Sequence, residues 1–150
     1  MSDNTDVSKL DDLIVTTIDS IKGYEHSAEH ADAERYAEMF KRLAAARREV
    51  VLTLQDQSRA LGGTPSDFGS ASATLHRRFE DLRRVLGGGD EVIVKEIERG
   101  EDYLKEEFER AMRDENISAA TRSIIDGCFV TVKRGHDEIS QLKHQLAAAS

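Results

Sequence analysis

Two short joints and one long one divide this chain into helices, and their unequal lengths limit its fold more than any other feature. Apolar residues recur at three- and four-residue spacing through nearly the whole sequence, the pattern of helices with one buried face. Leu10, Leu13, Ile14, Ile18, Ile21, Tyr24 and Ala28 predict a first helix from about Ser8, as its N-cap, to Ala31. Tyr36, Met39, Phe40, Leu43, Ala46, Val50, Leu54 and Leu61 predict a second from about Asp32 to Leu61. Gly62-Gly63-Thr64-Pro65 stops it, joining a C-terminal glycine signal to a breaker. A shorter helix over Ala71 to Leu86 aligns Leu75, Phe79, Leu82 and Leu86 and ends at Gly87-Gly88-Gly89, with Asp90 capping the next. That next helix spans Asp90 to Asp114 with Ile93, Ile97, Gly100, Leu104, Phe108 and Ala111 inward. Ser118 caps the last, which carries Ile125, Cys128, Val132, Gly135, Ile139, Leu142 and Leu146.

The joints near Ala31 and Asn116 are short, so each flanking pair is expected to form an antiparallel hairpin. The link from Gly62 to Gly89 is long enough to run the length of a bundle. Two hairpins joined by a long crossover give an all-α, ferritin-like four-helix bundle with an extra short helix in the crossover. The alternative is a five-helix bundle with residues 71–86 as an equal member.

A chain of 150 residues forms one domain with a real core, residues 1–7 being expected to lie outside it as a disordered tail. No apolar run approaches the roughly 18 residues of a membrane span. The acidic, polar start, Met-Ser-Asp-Asn-Thr-Asp, is unlike a signal peptide. A single cysteine, Cys128, precludes an internal disulfide framework and fits a reducing cytoplasm. A net charge of -8 argues against nucleic acid or an anionic membrane as the main partner, since both need a basic footprint.

Several segments carry a family resemblance: Gly23-Tyr24, Leu61-Gly62-Gly63, Gly69-Ser70, Leu75-His76-Arg77, Asp81-Leu82 and Glu98-Arg99-Gly100-Glu101-Asp102. From about Leu10 to Leu142 the chain resembles an uncharacterised family of bacterial ferritin-like four-helix-bundle proteins, a domain of unknown function. The resemblance implies a ferritin-like fold and a bacterial cytoplasm. It implies no established activity.

A dimetal carboxylate centre in such a bundle needs a Glu from each of two helices and a Glu-x-x-His pair from each of the other two. The residues three positions before His26, His30, His76, His136 and His144 are Gly23, Ser27, Ala73, Lys133 and Gln141. None is a carboxylate, which argues against a di-iron oxidase of that kind. A lesser site for a divalent metal, iron, manganese or zinc, would use Glu25, Glu101 and His136. Helical projection places these on or beside the apolar stripes, with Arg47 about 15 Å lower. The structural alternative is a buried polar network in which Glu101 accepts from His136 or an arginine. Arg47, a cation on an apolar stripe, looks like a substitute for metal charge and favours that alternative, with no resident cofactor.

His26 and His30, four apart, could chelate a metal but project toward solvent or a subunit partner, with Glu25 and Glu29 beside them. Tyr24, Tyr36 and Tyr103 read as boundary packing. Cys128 lies on a core face and reads as an inert thiol. Arg77, Arg78, Arg83 and Arg84 of the shorter helix face an acidic helix, so His76 or Arg77 is expected to dock on Glu98 and Asp102, with Gly100 permitting close approach. No catalytic residue stands out. Three functional classes fit the sequence: a non-catalytic stress or scaffold protein acting by association, as a homodimer; a metal-binding protein or oxidase; and a cargo or adaptor protein.

Overall fold

In the computed structural model, residues 3–70 and 89–149 are described, and among them the chain forms four helices and no strand. They are α1 (Asp3–His30), α2 (Glu34–Ala60), α3 (Asp90–Met112) and α4 (Ala119–Ala149). The expected helix over 71–86, with its apolar stripe and its arginines, lies outside the described residues.

Each helix buries the stripe that its periodicity marks. Leu10, Ile14, Phe40, Leu54, Ile93, Leu104, Phe108, Ile125, Val132 and Ile139 are all shielded from solvent in one continuous core. Helix α1 packs on α2 and α3, while α4 packs on α2 and α3, so the helices form a four-membered bundle. The α1–α2 and α3–α4 joints are short and the members of each pair are antiparallel, as the spacing predicts.

The ends of the bundle are closed by two aspartates. The Asp6 carboxylate of α1 accepts from the Ser118 amide (3.0 Å), the Ser118 hydroxyl (2.6 Å) and the Thr121 hydroxyl (2.8 Å) at the start of α4. The Ser118 hydroxyl in turn accepts from the Thr121 amide at 3.2 Å, the cap expected from the sequence. At the opposite end, the Asp90 carboxylate accepts from the amides of Asp32 (2.7 Å) and Ala33 (3.1 Å) before α2. Asp90 therefore serves the start of α2 rather than its own helix, which is preceded by Gly89 without a side-chain cap. In each hairpin the second helix has its positive end neutralised by the first helix of the other hairpin.

Helix α1 begins at Asp3, five residues before the expected N-cap, because Asp6 is drawn into this end cluster. Residues 3–7 are therefore helical, not a loose tail.

Helix α2 stops as its glycines predict. Gly62 has a φ of 85°, its amide bonds the Arg59 carbonyl, and the Gly63 amide bonds the Ser58 carbonyl at 2.8 Å, a Schellman closure. From there the chain runs beside α1. A Cβ on Gly63 would fall 2.8 Å from a Val7 methyl. Ser66 donates its amide and hydroxyl to Asp11, and Ser70 donates both to Asp19. A Cβ on Gly69 would lie 2.2 Å from Asp19 Oδ1, so the glycine lets the chain pass close to the Asp19 carboxylate. Residues 63–70 thus advance along α1 toward the end of the bundle where Asp90 starts α3.

Candidate functional site

A charged pair buried in the core draws partners from all four helices. Glu101 of α3 and Arg47 of α2 are 2% and 1% exposed, and Arg47 Nη2 lies 2.7 Å from Glu101 Oε2. The Tyr24 hydroxyl of α1 donates to Glu101 Oε1. Arg47 Nη1 donates to Ser20 Oγ of α1 at 2.6 Å, and Nη2 also reaches the Val132 carbonyl of α4 at 3.4 Å. The guanidinium lies 5.6 Å from the Tyr24 ring centroid, and that ring packs on Phe40 with centroids 6.2 Å apart. Gly135 of α4 makes room for the arginine: a Cβ there would fall 2.6 Å from Nη2.

The three principal side chains converge from different levels. Measured from the Asp90 end at about 1.5 Å per residue, Tyr24 sits roughly 9 Å down, Glu101 roughly 16 Å and Arg47 roughly 20 Å. Side chains lean toward the N-terminus of their own helix. Tyr24 therefore leans down its antiparallel helix while Arg47 leans up, and both meet Glu101. By this measure Arg47 stands only about 4 Å below Glu101, not the expected roughly 15 Å, a step that its long side chain spans.

Electrostatics match the geometry. Burial pushes the Tyr24 phenol well above its ordinary range, and the Glu101 charge adds to the shift. Burial alone would lower the Arg47 guanidinium, yet Glu101 and Tyr24 outweigh it and hold the cation more firmly than usual. The carboxylate uses both oxygens, and a phenol and an arginine so held neither give up nor take a proton near neutral pH. The chemistry of the group is cohesion.

The metal trio expected from the sequence is not assembled. Glu25 leaves the stripe and pairs with Arg48 at 2.6 Å on the outside of the bundle. His136 bonds Asp102 (2.7 Å) and Asp137 (3.2 Å) at the surface, away from Glu101. Tyr24 faces the core as its place on the stripe predicts, whereas Glu25, one position on and rotated by about 100°, faces outward. Tyr24 is thus a core residue, not boundary packing, whereas Tyr103 is exposed.

The acidic pentapeptide divides in the same way. Glu101 turns inward, Glu98 pairs with Lys143 at 2.6 Å, and Asp102 receives His136. Gly100 faces outward rather than into the core, and no described atom lies within 4 Å of a Cβ built on it. The proposed docking of His76 and Arg77 on this surface falls outside the described residues. Cys128 is buried, and burial raises its thiol to about 11, in keeping with an inert group. His26 and His30 are half-buried near the C-terminal end of α1.

Sequence reasoning singled out Arg47 and Glu101 separately but missed Ser20 and Gly135 as partners. The available signal was Gly135 on an otherwise apolar stripe, facing the one arginine on another stripe.

Fold and site together define an all-α helical-bundle protein whose buried carboxylate is neutralised by an arginine and hydrogen-bonded by a tyrosine. The chain belongs to the family described as a domain of unknown function, DUF2383, whose model matches residues 5–114. The matched span holds Tyr24, Arg47 and Glu101, and leaves α4 outside it. No curated protein and no solved structure matches the chain. Among the described residues, no helix is long and apolar enough to cross a membrane.

Proposed function

We propose that this is a non-catalytic, ferritin-like bundle of bacterial cytoplasmic origin that works by association, as a homodimer or with a protein partner. The observation that carries the reading is the Arg47–Glu101 pair at 2.7 Å, with Tyr24 on the second carboxylate oxygen. It fills the centre of the bundle, where a ferritin-like protein would hold metal, with fixed protein charge. The chain path supports the ferritin-like assignment: α2 ends beside Val7, α3 starts beside Asp32, and the link between them must travel the bundle's length. Outward-facing Leu52, Tyr103 and Val130 supply apolar contacts for association. The metal-holding alternative draws no support from Glu25 or His136, each occupied at the surface.

Thermal unfolding of the Glu101→Gln variant tests the interior reading. A lower melting temperature with an unchanged metal content supports it. A folded variant of unaltered stability that has lost a stoichiometric metal overturns it. Sedimentation of the tag-free chain tests association, and a strict monomer at high concentration removes the homodimer.

A further inference from the structure

The last turn of α1 carries a cluster of metal-ligand side chains separate from the Tyr24–Arg47–Glu101 group. His26, Glu29 and His30 each offer one ligand atom, and these atoms lie within 4.8 Å of one another. Their spacings of three and four place them on one side of the helix. The two imidazole rings stand with centroids 4.3 Å apart.

One of the histidines is already oriented as a ligand would be. His30 Nδ1 lies 2.9 Å from the His26 backbone carbonyl. A carbonyl oxygen only accepts, so Nδ1 carries the proton and Nε2 of the neutral ring keeps its lone pair. Metal-bound histidines are commonly held this way, by donating the other ring N–H to a carbonyl or carboxylate. The location adds to the effect, because the carbonyls of a helix C-terminus carry the negative end of the dipole and favour a cation.

We propose that His26, Glu29 and His30 form a surface site for a borderline divalent cation, Zn2+ above all, with water completing its shell. Two imidazoles and one carboxylate are a donor set used by three-ligand zinc sites. The same set is poor for Mg2+ or Ca2+, which take oxygen ligands. Donors in a tetrahedral zinc shell stand about 3.3 Å apart. Closure from the present spacing asks for a modest χ rotation, which the exposed Glu29 side chain is free to make. The site is separate from the Tyr24–Arg47–Glu101 group and does not depend on the interior reading.

Calorimetric titration of the tag-free full chain with zinc chloride tests the site. One zinc per chain is expected, with no matching response to magnesium chloride. Binding is lost in the double variant His26→Gln/His30→Gln and weakened in Glu29→Gln, while circular dichroism shows unchanged helix content in both. His144→Gln is the control: its ring also bonds a carbonyl four residues back, Ser140 at 2.7 Å, and it lies outside the donor group. No zinc bound by the native chain overturns the proposal. So does equal binding by the double variant, or an equal loss in His144→Gln, which would mark diffuse surface binding.

Discussion

Arg47 and Glu101 sit on helices that lie diagonally across the bundle, yet their side chains form a 2.7 Å ion pair that is almost wholly dry. Two isolated charges at that depth would be strongly disfavoured, and each is retained because the other is present. Removing one partner should cost far more than the pair contributes. Arg47→Met leaves the carboxylate uncompensated and is expected to lose about 3–5 kcal/mol in urea unfolding. The triple variant Arg47→Met/Glu101→Leu/Tyr24→Phe removes the charges and the orphaned phenol together and should recover most of that loss. A triple variant as unstable as the sum of its single changes would show that the network is not coupled.

Gly135 gives an independent measure of how closely the arginine is held. An alanine Cβ there would lie 2.6 Å from Nη2 and 3.5 Å from a Leu43 methyl. The guanidinium is tied to Ser20 and Glu101 and has little freedom to retreat. Gly135→Ala should therefore destabilise by about 1–3 kcal/mol, as overpacking does. Gly127→Ala, on an exposed turn of the same helix with no described atom within 4 Å, should stabilise by up to about 1 kcal/mol through helix propensity alone. Equal effects at the two positions in a urea midpoint comparison would remove the argument for close packing at Arg47.

The helices were legible because burial repeats every three to four residues and only the joints interrupt it. Helix α3 begins at Asp90 and α2 closes at Gly62, both as the residues indicate. The start of α1 was not legible, since Asp6 is ordered by Ser118 and Thr121, more than a hundred positions away in the chain. The same holds for Asp90, whose carboxylate satisfies another helix's amides. At the interior site, periodicity identified Glu101 and Arg47 as misplaced charges. It could not show that they meet, because their contact spans two parallel helices that lie diagonally across the bundle, and it depends on the reach of the long arginine side chain. Glu25 failed for a narrower reason: adjacent helical positions differ by about 100°, so a stripe drawn one residue too wide admits an exposed carboxylate.

Asp6 should give the protein an acid-sensitive end. Burial would raise its carboxyl, but hydrogen bonds from Ser118 and Thr121 outweigh it and hold the group below its ordinary value of 3.8. A carboxyl lowered in the folded state binds its proton later than the unfolded chain does. Its contribution is therefore complete above about pH 4 and is lost as pH falls through the lower, folded value. Asp6→Asn should reduce stability at neutral pH and flatten the decline between about pH 4 and pH 2. Urea midpoints across that range check it; parallel curves for the two proteins would assign the acid sensitivity to other carboxylates.

Cys128 should define the opposite limb. Burial raises its thiol to about 11 from an ordinary 9.0, so the folded chain keeps the proton that the unfolded chain releases first. The linkage is neutral below the unfolded value, and stability falls as pH rises between the two. Tyr24, raised well above 10.0, acts with the same sign at still higher pH. Because thiolate is the reactive form, iodoacetamide at about pH 8 should label the native chain far more slowly than the chain in urea. The Cys128→Ala variant should lose less stability than the native sequence over about pH 9–11. Native-state labelling as fast as in urea would place the thiol at the surface and remove it from the core that it shares with Ile125 and Val132.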